Sequence, residues 1–260
     1  MSTNNITTEL VKELRDATGI SVMQCRKALI EAEGDMPKAL AILKKTSAEI
    51  ALKKADREVK DGRIVVKNSG SKTIVVALNC ETDFVARNND FINLSEALAS
   101  VALKDGVEAM KTGAKEMIDP IIQKTGENIT LGEAYEIDAP VVGSYVHNNK
   151  LAVIVTLEGG NTEVAKDVAM HIAAMKPEYI KKEDIDEEAR KMMTEVFMKD
   201  VASVDKPEEI KKKMLEGKIA TYFKEKTLLD QPFIKDGEMT VGQLLEKNKA
   251  SITNVKKSSI

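Results

Sequence analysis

Two stretches of this sequence run through the same pattern, and that constrains the fold more than anything else in it. Residues 62–67, a turn through Asn68–Ser71, and residues 73–78 spell a hairpin that leads into a helix. Residues 143–147, a turn at Asn148 and Asn149, and residues 151–157 spell a second hairpin, which also leads into a helix. Residues 74–86 align without a gap on residues 153–165, and the second hairpin differs by a turn two residues shorter. Apolar strands joined by Asn- and Gly-containing turns make antiparallel hairpins. A repeated hairpin-and-helix unit implies a core of two related subdomains, each a small sheet covered by helices. The expected fold class is α+β.

Ahead of the repeat, the first 45 residues read as three short helices. Leu10 and Leu14 share a face of the first, which Gly19 can end in the left-handed conformation. Ser21 with Gln24 forms a capping-box pattern for the second, whose Cys25, Ala28, Leu29 and Ala32 make one stripe before Gly34 stops it. Asp35 can cap the third, with Pro37 in its first turn and Ala39, Leu40 and Leu43 facing inward. Three helices with such short turns make a bundle of the size used for docking. Residues 46–61, rich in Ala, Lys and Glu, read as a helical connector.

Between the two hairpins, residues 91–111 read as helices with Leu94, Ala97, Leu98 and Val101 on one face. Pro120 and Gly126 then break the pattern before an extended stretch at 129–139. Beyond Lys176 and Pro177, residues 183–225 are strongly charged, with apolar positions only at intervals: Ile185, Ala189, Met192, Val196, Ile210, Met214 and Phe223. Two such runs flanking Ser203–Pro207 suit antiparallel helices with a thin apolar seam, a protruding helical hairpin. The chain returns to core-like segments at 231–234 and 241–245, and a polar tail with little to bury is expected after them.

The segment Glu81-Thr82-Asp83-Phe84-Val85-Ala86-Arg87-Asn88 places an acid beside a large aromatic at a strand exit, in a chain with no Trp and 3% aromatic residues. Loops on a rigid scaffold carry function more often than cores do. The plainer reading is that Phe84 folds back and staples the next helix to the sheet. Against it, the repeat aligns Phe84 with Glu163, so the shared scaffold does not demand an aromatic there.

A search for reaction chemistry finds a binding protein rather than an enzyme. Gly70-Ser-Lys-Thr73 has the wrong upstream spacing for a phosphate loop, and no metalloprotease, paired-cysteine, nucleophile-elbow or dinucleotide pattern occurs. His147 and His171 are the only neutral-pH bases, and neither has a nucleophile or paired base beside it. The plain reading of each is a structural or surface imidazole. Cys25 reads as packing, and two cysteines without a partner pattern suit a reducing compartment. A formal charge of −3 does not suggest nucleic-acid steering. No apolar run approaches the ~20 residues that span a bilayer. The start of the chain lacks the basic and apolar regions of a secretion signal, so a cytoplasmic location is expected and the glycosylation-type triplets at Asn5, Asn93 and Asn128 carry no weight.

Residues 14–29 (LRDATGISVMQCRKAL) resemble the N-terminal signature of the bacterial elongation factor Ts family, and residues 79–87 (NCETDFVAR) resemble its second signature. Residues 143–147, 169–177, 231–233 and 240–245 are similar to further family segments in the same order. The resemblance spans nearly the whole chain. It implies a translation factor that promotes guanine-nucleotide exchange on elongation factor Tu, in its GDP-bound and nucleotide-free forms, with no cofactor, metal or nucleotide of its own. The implied architecture is a ubiquitin-associated-like three-helix domain with its connector (1–56), a first core subdomain (57–140) and the first part of a second (141–182). A helical-hairpin protrusion (183–225) follows, then the return of the second subdomain with a short tail (226–260).

Carried over residue by residue, Thr82, Asp83, Phe84 and Val85 would act on the magnesium region of the partner's nucleotide site. Thr18, Gly19, Ile20, Val22 and Met23 would dock on its nucleotide-binding domain. Gly126 and His147 match family positions near the partner's phosphate-binding side, and Thr125 stands where the family has an apolar residue. The resemblance departs after residue 245, where many members continue with another strand and a terminal helix that this chain is expected to lack. A second class of function consistent with the residues is an adaptor or chaperone-like protein that grips a helix in a groove, indifferent to nucleotide.

Overall fold

Three polar side chains start the first three helices in the computed structural model, which describes residues 6–260. Asn5 lies outside them. Thr7 caps α1 (Thr8–Thr18), Ser21 caps α2 (Val22–Glu31) and Asp35 caps α3 (Met36–Lys54), each accepting a backbone N–H of the first turn. Gly19 closes α1 at φ 68°. Leu14, Cys25, Leu29, Ala39 and Leu43 meet in a small core.

The third helix corrects two expectations. It runs unbroken to Lys54, so residues 46–54 of the predicted helical connector are the second half of the same helix, and residues 55–60 are turn and coil leading into the first strand. Its buried stripe is Ala39, Leu43, Ser47 and Ala51, spaced four apart, which leaves Leu40 exposed on the flank.

Within the first compact unit, formed by the chain through Asp138 with Asn148–Leu151 and Ser258–Ile260, three antiparallel strands follow. They are β1 (Asp61–Ser69), β2 (Lys72–Cys80) and β3 (Ile129–Asp138), with β2 in the centre. The ladder pairs Asp61 with Cys80 and continues to Ser69 opposite Lys72, so the strands extend into the predicted turn and leave only Gly70 and Ser71 to close it. The Thr73 hydroxyl, donating to Asn68 Oδ1 at 2.8 Å, ties the strand ends together. The first turn is therefore not the longer one. The second hairpin, β4 (Val141–His147) and β5 (Leu151–Glu158), turns through three residues, with Asn148 and Asn149 at φ 49° and 57°.

Helices α5 (Asn89–Asp105) and α6 (Val107–Thr125) cover the first sheet, burying Phe91, Leu98, Met110 and Ile122 against Ile74, Val76 and Leu78. Pro120 does not break α6. The carbonyl that its missing N–H would have served belongs to Glu116, which is exposed, so water can replace the bond. Gly126, at φ 79°, ends the helix.

The second unit comprises Ala139–His147 and Ala152–Lys257. Helix α7 (Thr162–Met175) lies so close to β4 that a Cβ on Gly143 would fall 2.1 Å from the Lys166 nitrogen and 2.2 Å from the Ala165 carbonyl carbon. Helices α8 (Glu187–Ala202) and α9 (Glu208–Lys226) form the predicted pair. Phe197 meets Tyr222 edge-on at 5.8 Å and Lys218 reaches Asp200 at 3.2 Å, so the pair runs antiparallel. The seam differs from the expected one. Ile185 and Phe223 are buried as expected, but Met192, Val196 and Ile210 are exposed, and Val201 is buried instead.

Strands β6 (Pro232–Phe233) and β7 (Asp236–Thr240) and helix α10 (Val241–Lys247) complete the core-like return. The expected polar tail is instead β8 (Ser251–Ser259), a third strand beside β5, so a strand follows α10 after all. Its polar residues find partners, as where Thr253 and Thr156 share a 2.7 Å hydrogen bond. A strand can satisfy its backbone through the ladder without an apolar pattern, which is why composition alone concealed it.

The Gly143 contact yields a direct expectation. Gly143→Ala should destabilise the protein by about 1–3 kcal/mol, because an added methyl meets helix backbone that cannot rotate aside. Urea denaturation of the variant beside wild type checks this; equal midpoints would show that α7 shifts freely.

Candidate functional site

The strand exit at Cys80 leads into a helix only one turn long, α4 (Asp83–Ala86). Thr82 caps it by accepting the Val85 N–H at 3.4 Å, and a second cap at Asn88, accepting from Asp90 at 2.8 Å, restarts the chain as α5. Val85 and Ala86 point into the core. Phe84 points out and is 84% exposed, so it does not staple the helix to the sheet. Asp83 pairs with Arg87 one turn on, at 3.1 Å.

The second copy of the repeat shows what the scaffold requires. Its Asn161, aligned with Thr82, caps α7 by accepting the Val164 N–H at 2.9 Å, and Val164 and Ala165 are buried like Val85 and Ala86. The cap and the two following apolar anchors are common to both copies. The outward position between them holds Phe84 in one and exposed Glu163 in the other. The aromatic is an addition to the scaffold.

Residues 81–82 and 127–128 hold each other. Glu127 accepts the Glu81 N–H at 3.1 Å and the Thr82 N–H at 3.0 Å through one oxygen, and the Thr82 hydroxyl at 2.6 Å through the other. In return Glu81 accepts the Asn128 N–H at 2.6 Å. That bond, with help from Arg57, holds the Glu81 carboxyl below its ordinary range. Buried Asn128 donates to the carbonyls of Ala55 and Arg57 at 3.3 and 2.8 Å, and Lys54 donates to the carbonyl of Gly126. Burial and the nearby acids push the Cys80 thiol up to about 12, so it stays protonated and donates to the Thr82 carbonyl at 3.2 Å. Nothing in the residue pattern singles out Glu127, and Asn128 stands out only in a glycosylation-type triplet; the adjacent Gly126 is the nearest pointer to this role.

Thr125 donates its hydroxyl to Ile121 at 2.8 Å and accepts the Glu127 N–H at 3.4 Å, so it finishes α6 and starts the next turn. Next to it, Lys124 pairs with Asp90 at 2.7 Å and abuts Gly19, where an added Cβ would lie 2.4 Å from its ammonium nitrogen. The Thr18–Met23 turn is thereby joined to the end of α6. Thr18 bonds its own turn, donating to Leu14 and accepting from Ile20, whose side chain is buried. Val22 and Met23 face outward, Met23 at 82% exposure.

His147 lies in the second unit, with Nδ1 3.3 Å from the Tyr145 hydroxyl. His171, also in that unit, is fully buried. Its Nδ1 accepts the Ile234 N–H at 3.2 Å, so Nε2 carries the proton and donates to Gln231 at 2.9 Å. Among the described residues no cluster of His, Cys, Asp and Glu has the makings of a metal site. No described helix is long and apolar enough to cross a membrane.

The elongation factor TS family model matches residues 81–260. The elongation factor Ts of Hahella chejuensis is 42% identical over 95% of this chain and 89% of its own length. That of Teredinibacter turnerae is 41% identical over 96% and 88%, and that of Marinobacter nauticus 40% over 93% and 86%. The chain belongs to the elongation factor Ts family and is a translation elongation factor of protein biosynthesis.

His171 gives the second testable expectation. Burial drives its folded pKa below the ordinary imidazole value, and the Gln231 bond offsets this only in part. Below about pH 6.5 the unfolded chain takes up a proton that the folded chain refuses, so stability falls with pH down to the depressed folded value and then levels. His171→Gln should flatten that slope in urea titrations at successive pH values. An unchanged slope would assign the loss to other groups.

Proposed function

We propose that this protein is a guanine-nucleotide exchange factor that releases GDP from elongation factor Tu. The observation that supports this most is the exposure of Phe84, 84% accessible on a one-turn helix at a strand exit. An aromatic presented in that way is suited to insertion between elements of a partner. In this reading the segment Thr82, Asp83, Phe84 and Val85 displaces the groups that orient the partner's nucleotide-bound magnesium, with Phe84 outermost and buried Val85 anchoring the segment from beneath. This weakens phosphate binding without touching the base. Asp83 adds an acceptor that competes for polar groups there. By linkage, a factor that weakens nucleotide binding binds the empty partner more tightly by the same ratio.

The finer architecture belongs to the same proposal. Residues 1–56 act as a ubiquitin-associated-like docking domain through Thr18, Gly19, Val22 and Met23, with buried Ile20 shaping the turn from beneath. Residues 57–140 and 141–182 form the two related halves of the core, closed by 226–260, and the pair α8–α9, within 183–225, protrudes to add area against another part of the partner. Thr125 and Gly126 in the first unit, and His147 in the second, are each further partner contacts in this reading. The protein binds no nucleotide itself and acts in the cytoplasm.

Stopped-flow release of fluorescent GDP from elongation factor Tu tests the reading. Wild type should accelerate release saturably, and Phe84→Ala should slow the catalysed step roughly 30-fold, the equivalent of about 2 kcal/mol for a buried aromatic wedge, with an unchanged circular dichroism spectrum. A folded Phe84→Ala protein that exchanges like wild type would remove the wedge. Replacing residues 187–226 by a short linker should weaken association more than it lowers the maximal rate. Binding that ignores the partner's nucleotide state would favour an adaptor.

A further inference from the structure

We infer that Glu127 is the positioning residue that presents Phe84, an inference that rests on the exchange reading above. A helix of four residues has no stability of its own, since the first turn orders several dihedrals for a single hydrogen bond. Its one side-chain cap, Thr82 to Val85, is long at 3.4 Å. Val85 and Ala86 anchor its inner face in the core, but Phe84 makes no buried contact that could fix its direction.

The near end must be held from elsewhere. The Glu81 and Thr82 N–H groups lie past the last ladder pair of β2, which is Cys80 with Ile129, and ahead of the first helical residue, so neither sheet nor helix supplies their partner. Glu127 satisfies both, and takes the Thr82 hydroxyl as well. Because that hydroxyl donates to a carboxylate while accepting from Val85, the carboxylate also strengthens the cap. Glu127 is itself fixed: the residue before it receives the Lys54 ammonium, the residue after it is bonded to Glu81, Ala55 and Arg57, and its own N–H is taken by Thr125. The strand exit, the end of α6 and the end of α3 are thus fastened at one point, and the outward residue two positions beyond Thr82 inherits its direction from it.

The test compares Glu127→Ala, Glu127→Gln and Phe84→Ala, singly and with Glu127→Ala and Phe84→Ala combined, by amide hydrogen exchange and by GDP release from elongation factor Tu. Glu127→Ala should lower protection of the Glu81 and Thr82 amides and cut the maximal catalysed release rate by about tenfold each. Half-saturation should change less, because the other docking contacts remain. Glu127→Gln keeps an oxygen for the two N–H groups and should stay within about threefold of wild type. Added to Phe84→Ala, the Glu127→Ala change should have no further effect on the maximal rate.

Unchanged amide protection in Glu127→Ala would overturn the clasp. Lost protection with an undiminished maximal rate, or an undiminished further loss in the Phe84→Ala background, would overturn the positioning role. A wild-type protein that leaves GDP release unaccelerated would overturn the exchange reading and the positioning role with it. The amide measurement would still judge the clasp.

Discussion

Strand β2 is the member on which the first unit depends. It is hydrogen-bonded on both edges and buried from Thr73 to Leu78, so neither its register nor its direction can slip without exposing apolar surface or orphaning ladder bonds. Because the strand is fixed, its exit is fixed, and the residues immediately after Cys80 leave the sheet at a determined place. The mutual bonds of Glu81 and Thr82 with Glu127 and Asn128 then carry that determination one step further, from the sheet into the loop. Precision in an exposed segment is obtained here from backbone donors meeting carboxylates at the margin of a core.

The internal repeat separates what the scaffold requires from what has been added to it. Both copies begin their helix with a polar cap, bury a valine three residues on and an alanine after it. In one copy the helix continues for 14 residues, from Thr162 to Met175; in the other it stops after four and is capped anew at Asn88. The interruption makes α4 a separate projection rather than the first turn of a longer rod. Phe84 is placed on that projection, at a position of the shared pattern that neither copy buries.

Much of this was legible in the residues, and the failures have physical causes. Hairpins, caps and the left-handed turns at Gly19 and Gly126 are local, and local chemistry announces them. The exposure of Phe84 was foreshadowed by its misfit to the repeat. The continuous α3 was missed because Ala-, Lys- and Glu-rich sequence is helical without saying whether it joins the helix before it. Pro120 misled because a proline's local cost can be outweighed by tertiary packing, here the burial of Ile118 and Ile122 on either side of it. Strand β8 was missed because strand pairing is non-local, and a polar strand carries no alternating signal. Glu127 was invisible for the same reason: its three partners lie 45 and 46 residues away in the chain.

The unbroken third helix has a consequence for recognition as a whole. At about 1.5 Å per residue it is a strut of about 28 Å, packed at its start against the first two helices and farther along against α6, where Lys44 meets Glu116 at 2.9 Å and Ser47 donates to Gln123. If Met23 and Phe84 both meet the partner, as proposed above, a flexible tether would leave them free to search independently, and each engagement would lose its own rotational freedom. A strut makes them two points on one template, so orientation is surrendered once for both and the second contact forms at high effective concentration. The same stiffness is selective, because a surface whose two receptive places have the wrong separation cannot be met by bending the template to suit it.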